Sequence, residues 1–203
     1  MKVKRYVEQD VTDFNVGDII EFTMSNGEYV QAMAVKKLNV GTLFCFVNCL
    51  TEKYPMNDSD TNNGGYFSSK LRTIINNEVI SDFPDEIKRY LVRLSNGDYL
   101  RIPTEKEIFG KNGYGEAEAD NIEQWEPMKN CNNRISFDGA KGYSECYWCQ
   151  NNKAGHSSCC FCSVTSDGLS DYGRASYVIG VRPVFVLNIK PNSTMEQGGI
   201  IYE

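Results

Sequence analysis

A chain of 203 residues, with 21 Lys and Arg against 27 Asp and Glu and a formal net charge of −6, is long enough to bury a core without cross-links. Its basic residues are dispersed rather than gathered into a phosphate-tracking stripe, so no nucleic-acid partner is expected. Nor is membrane insertion: "MKVKRYVEQDVTDF" has no apolar run behind its basic residues, and no later segment reaches the length of a bilayer span.

In chain order, Asp18–Met24 and Glu28–Val35 flank Asn26-Gly27, which predicts a β-hairpin because that pair accepts positive φ. Thr42–Val47 reads as a further strand, and "TEKYPMNDSDTNNGG" as a polar loop. Phe67, Leu71, Ile74 and Ile75 fall at helical spacing, so one face of that segment is expected on the core. Phe83, Ile87, Tyr90 and Leu91 suggest a second, shorter helix, expected to start around Pro84 and Asp85. Asn96-Gly97 predicts another hairpin, and Thr104 with Glu107 has the spacing of a capping box. Residues 110–140 read as irregular, followed by strands near Tyr147–Gln150, Cys159–Val164, Tyr177–Val181 and Val184–Leu187. The expected organisation is a single domain over 1–203, with its core at about 15–188 and a polar tail at 189–203.

"SECYWCQNNKAGHSSCCFCSV" holds five of the eight cysteines and the only histidine. Zinc could take Cys146, Cys149, His156 and Cys159, but the second half lacks a C-x-x-C knuckle. A thioredoxin-like pair would need a helix N-terminus to lower a thiol pKa, and none follows "CYWC". A Cys–His nucleophile would further need an orienting group and an oxyanion hole. The plain alternative is a hairpin in which cysteine serves as a small, partly buried side chain.

Two stretches narrow the choice. "YW" at Tyr147-Trp148, followed about thirty residues later by "GVRPVFVL", resembles the end of C-type-lectin-like domains of bacteria and phages, in the branch related to formylglycine-generating enzymes. "LRTIINNEVISDFPDEIKRYL" and "LRIPTEKEIFG" are similar to the helix and middle segments of a bacterial family sharing that ending. The resemblance implies an α+β fold in which short helices pack on small antiparallel sheets. It also implies that Arg182 is a polar anchor in the core and that Trp148 packs beneath a ligand-binding surface. The catalytic cysteine pair of the enzyme branch does not map onto this chain, so its copper-dependent activity is not carried over.

Some lectin-fold proteins of this kind are targets of diversity-generating retroelements, which alter template adenines. AAC and AAT codons then become Ser, Cys, Tyr, His, Asp, Gly or Phe, whereas Lys, Glu and Trp are not reached. Residues 143–177 are crowded with the reachable types: Tyr143, Ser144, Cys146, Asn151, Asn152 and His156, then Ser157, Ser158, Asp167, Ser170, Asp171 and Tyr172. These are the expected ligand contacts, with Trp148 and Arg182 as framework. The expected function is non-catalytic recognition of a protein or cell-surface glycan, with no cofactor, by a cytoplasmic or virion-associated protein. The rivals are a zinc module at the residues named above and a thiol enzyme.

Two acidic stretches carry less. Asp58, Asp60 and Asn62 have the first spacings of a calcium loop, but Asn63 replaces its glycine and Ser69 its glutamate, so a solvated loop is expected. "GKNGYGEAEADN" opens no helix after a strand, and Glu116, Glu118 and Asp120 read as solvated charge.

Overall fold

The computed structural model describes residues 13–139, 142–155 and 157–189. His156, the N-terminal stretch before Asp13 and the tail beyond Ile189 lie outside these described residues.

The first hairpin forms as expected: β1 (Ile19–Thr23) and β2 (Tyr29–Leu38) pair antiparallel, and Gly27 N–H closes the turn on Met24 O at 2.9 Å. A two-residue turn leads into β3 (Gly41–Phe46). Helix α1 (Lys70–Asn77) begins at Ser69, whose hydroxyl accepts the Arg72 N–H, and it buries Leu71, Ile74 and Ile75. Phe67 departs from the expected stripe. It lies in the 3-10 turn Tyr66–Ser68 ahead of the cap and is 58 % exposed. Helix α2 (Asp85–Lys88) is one turn long and leads to β4 (Leu91–Val92).

The turn at Asn96-Gly97 also forms, but its arms do not ladder together. Strand β4 pairs with the C-terminal strand β10 (Val184–Leu187), and Arg101 exchanges two backbone hydrogen bonds with Val184 of the same strand. An apolar strand in the centre of the sheet offers each arm a better partner than the other arm does. The capping box of α3 (Glu105–Phe109) is complete, with Thr104 and Glu107 bonded reciprocally.

Beyond it come two 3-10 turns, Glu126–Lys129 and Cys131–Arg134, and a small ladder of β5 (Ser136–Phe137) with β6 (Ser144–Glu145). Strands β7 (Tyr147–Asn152), β8 (Cys160–Val164) and β9 (Ser170–Arg174) make an antiparallel three-stranded sheet. The strand expected over Tyr177–Val181 does not form. That segment crosses between the sheets through single bridges at Ile179 and Gly180. A Cβ on Gly180 would lie 2.5 Å from Cys49 Sγ and 2.8 Å from Cys146 O, so only glycine passes there.

The larger sheet has the order β1-β2-β3-β10-β4, all antiparallel, so the fold is α+β with few and short helices. Its central strands are buried on both faces. Phe44, Phe46, Phe185 and Leu187 join Phe22, Phe83, α1 and Trp148 in one core. Leu43, Cys45, Val184 and Val186 join Ile108, Trp125, Met128, Tyr147 and Cys149 in a second. Strands β7 and β8 also face both cores: Trp148 and Phe161 join the first, and Tyr147, Cys149, Cys162 and Val164 join the second.

Arg182 joins these parts. It is 2 % exposed, and it donates to Phe46 O at 2.9 Å, Asn133 O at 3.2 Å and the Tyr147 hydroxyl at 3.0 Å. Its guanidinium also lies 4.9 Å from the centre of the Tyr147 ring. Replacing Arg182 with Met leaves these acceptors buried and unmatched. Urea unfolding of R182M is expected to show a loss of about 3 kcal/mol.

Candidate functional site

The segment rich in cysteine is organised by an irregularity in β7. Trp148 pairs with Ser163, but the next pairing is Asn152 with Phe161, so three residues on β7 face one on β8. The bulge turns Gln150 and Asn151 toward the start of α3. Gln150 N–H donates to Pro103 O at 3.0 Å, and its side-chain amide donates to Ile102 O at 2.6 Å.

Asn151 leads to a buried carboxylate. Its Oδ1 accepts the Glu105 N–H at 2.7 Å, and its Nδ2 donates to Glu118 Oε2 at 2.8 Å. Glu105 is 0 % exposed. Its carboxylate accepts from Tyr114 N–H at 3.0 Å, Gly115 N–H at 2.8 Å and Ser170 Oγ at 2.5 Å. A buried carboxylate is tolerated only with such donors. The bonds fasten the 112–118 loop and the start of β9 to α3. Glu118, expected as solvated charge, is instead held by Lys106 N–H, Asn112 and Asn151.

The expected ligand contacts do not share one patch. Asn151 and Ser170 are turned inward to the acidic pair. Tyr143 is 74 % exposed and Ser144 is exposed beside it. Cys146 is half-buried near Ser166, Asp167 and Asp171, at the end of the sheet where the β8–β9 turn lies. Ser157 and Ser158 lie at the opposite end, where their carbonyls accept from Asn62 at 2.8 and 3.0 Å. The five residues of β8 set these ends about 13 Å apart, at roughly 3.3 Å per residue. Asn152 is half-buried, and among the described residues its Oδ1 has no donor.

Tyr172 is exposed on the face that carries Ser170, with its ring 5.1 Å from that of Tyr114 and with Lys153 Nζ 4.7 Å away. On the other face, Gly173 lies on the buried Trp148 ring and on Tyr177, with Tyr177 and Val178 exposed beyond it. Trp148 donates its indole N–H to Tyr54 O at 2.9 Å.

Sequence reasoning did not find β9, whose "SDYGR" lacks β-branched residues, nor the roles of Glu105, Tyr114, Lys153 and Tyr177. The loop 57–65, expected to be solvated, is also packed. Asn62 is 7 % exposed, and Asp60 receives Arg174 and the Ser176 hydroxyl.

The eight cysteines are free thiols. Among the described residues no three His, Cys, Asp or Glu side chains converge as metal ligands would. Cys149 lies in the second core, whereas Cys146 and Cys159 are half-buried outside it. Burial pushes the thiols of Cys45, Cys49, Cys146, Cys149, Cys160 and Cys162 upward, and the carboxylates of Glu105 and Glu118 add to the shift at Cys162. None of these six has the lowered pKa of an activated nucleophile.

E105Q is expected to cost about 2 kcal/mol and to speed hydrogen exchange at the Tyr114 and Gly115 amides, because an amide offers those donors a weaker acceptor. The thiols set a pH dependence. Cys49 is raised from 9.0 to about 12, so the folded state keeps its proton while the unfolded chain loses it. Stability is therefore full below the ordinary thiol pKa and falls as pH rises from there toward the folded value, by about 1.4 kcal/mol per pH unit for each such group. Urea unfolding between about pH 8 and 10.5 is expected to show this decline, and a flatter one in Cys49→Ala.

Compared with protein-family models, with curated proteins and with solved structures, the chain matches none.

Proposed function

We propose that the protein is a recognition module of the C-type-lectin-like kind, related to the formylglycine-generating branch, which binds a protein or cell-surface glycan without catalysing a reaction. The observation that carries this reading is the seat of β9 on Trp148. Gly173 of this edge strand rests on a fully buried, hydrogen-bonded indole, while Asp171, Tyr172 and the adjoining Tyr177 face solvent. Exposed side chains that change freely over a fixed base are what a diversified binding surface requires.

The framework supports the same reading. Arg182 is a core anchor, and Val184–Leu187, the end of "GVRPVFVL", is a central strand of the larger sheet. Tyrosines supply contact area with few rotors, and Ser, Asn and Asp supply adaptable hydrogen bonds. The surface divides between the Tyr143–Asp167–Asp171 end and the Tyr114–Tyr172–Lys153 face, so a ligand would engage one of them or straddle the β9 edge. Among the described residues no helix is long and apolar enough to cross a membrane, in keeping with the cytoplasmic or virion-associated location we propose. The zinc and thiol alternatives have less support, given the scattered cysteines and the raised pKa values of Cys146 and Cys149.

Two measurements test the proposal. Sequencing the 3′ part of the gene across many individuals should find substitutions at codons for exposed residues of 143–177, sparing Trp148 and Gly180–Pro183. Fixed codons at 143, 171 and 172 beside drifting neighbours would remove the diversified reading. A triple variant, Tyr143→Ala, Asp171→Ala and Tyr172→Ala, should lose tenfold or more in affinity for host-surface glycans or proteins, about 1.4 kcal/mol or above. Its melting temperature should stay within about 2–4 °C of the parent, as exposed substitutions usually allow. Undiminished binding by that variant would defeat the proposed surface.

A further inference from the structure

A second feature lies apart from the β9 surface, where the second core reaches solvent. An open cleft of about 720 Å³ runs over Leu43, Leu94 and Val186, with Leu38, Val40 and Ile122 at its sides. Small-molecule sites span roughly 300–1,000 Å³ with mostly apolar walls. The charged groups facing the cleft are Lys36, Lys37, Arg101, Glu107 and Glu123. Arg101 and Glu107 form a buried bidentate pair at 2.7 and 2.5 Å, and Lys37 pairs with Asp13. Glu123 is exposed to water. Lys36 is half-buried, and among the described residues its ammonium has no hydrogen-bond or ion-pair partner.

The fold places Lys36 there by an irregularity in β2. Ala32 and Ala34 pair with Phe46 and Phe44 on the face of the first core, and strict alternation would send residue 36 to that same face. The register shift between Ala34 and Lys36 instead sets Lys36 opposite Leu43, on the cleft side. A second hollow of about 390 Å³ shares Lys36, Lys37 and Glu123 with the cleft and is lined by Trp125. Trp125 is 2 % exposed, and among the described residues its indole N–H is a buried donor with no acceptor. Unmatched donors of this kind are costly unless an acceptor comes to them.

We infer that this cleft binds a small amphipathic carboxylic acid, with its carboxylate between Lys36 and Trp125 and its apolar body over Leu43, Leu94 and Val186. An ammonium and an indole N–H are both donors, so an anionic acceptor satisfies both, whereas a cation satisfies neither. The apolar floor rewards a hydrocarbon body in proportion to the area it covers.

The test uses the whole protein with octanoate, octanamide and octylammonium below their micelle concentrations. Octanoate should raise the melting temperature and shift the methyl signals of Leu43, Leu94 and Val186. The chain has two tryptophans, so two indole N–H signals report separately: Trp125 should move, and Trp148, already bonded to Tyr54 O, should not. Lys36→Met should weaken octanoate about tenfold or more while leaving octanamide within about twofold, and Lys36→Arg should restore the acid. Ile122→Trp, at the rim of the cleft, should block both ligands. The inference is overturned if octylammonium binds as tightly as octanoate or if K36M leaves octanoate unaffected. It is also overturned if octanoate fails to bind at about 1 mM, the weak end of specific affinity.

Discussion

A guanidinium taken out of water without a carboxylate beside it sets a strict condition on everything around it. Arg182 meets that condition with neutral partners: two backbone carbonyls, one hydroxyl and one aromatic face. The effective penalty for burying such a charge is several kcal/mol, and it is offset only while each acceptor stays in place. Phe46 belongs to β3, Asn133 to the 3-10 turn Cys131–Arg134 and Tyr147 to β7, so one side chain fixes the larger sheet, a connecting loop and the smaller sheet against one another. The Tyr147 hydroxyl passes the constraint on by donating to Arg134 O at 2.9 Å.

With that junction fixed, the two cores share their walls. Strands β3, β10, β7 and β8 each present alternate residues to both cores, and little of the interior belongs to one element alone. The unusual cysteines follow from this packing. Positions such as Cys45, Cys149 and Cys162 demand a small apolar group on a strand buried from both sides, which a thiol supplies. Cys162 carries an added role because Gly115 and Glu105 close over it, bringing the 112–118 loop down onto the sheet. The recognition surface and the acid-binding cleft that we propose lie on different parts of this shared frame.

The sequence made some of this plain and hid the rest. Asn26-Gly27, the Thr104–Glu107 box, the α1 stripe from Leu71 onward and the last strand are local signals, and each formed. The Asn96-Gly97 hairpin failed because β10, distant in sequence, competes for both of its arms, and no local pattern reveals such a competitor. Glu105 carried no signal of its own, since its donors at Tyr114, Gly115 and Ser170 come together only in the fold. Strand β9 escaped because Ser, Asp and Gly disfavour strands, and it is held by its ladder with β8 rather than by its own propensity. Lys36 escaped for another reason: the expected strand stops at Val35, whereas β2 runs on to Leu38, and the register shift that redirects Lys36 leaves no mark in composition.

Strand β9 has a further consequence, which concerns solubility. The hydrogen bonds of Thr165 with Leu169 and of Ala175 with Cys159 bracket its ladder, so the N–H and C=O of Tyr172 point away from β8. An open strand edge is a template on which another copy can add itself, and charges along it are the usual protection. Asp171 and Arg174 supply those charges here, and both are exposed. Changes on this strand are therefore not equivalent even where all of them face water. Substitutions that keep a charge on the strand keep the chain dispersed, whereas an all-apolar or all-aromatic version would fold correctly and then aggregate.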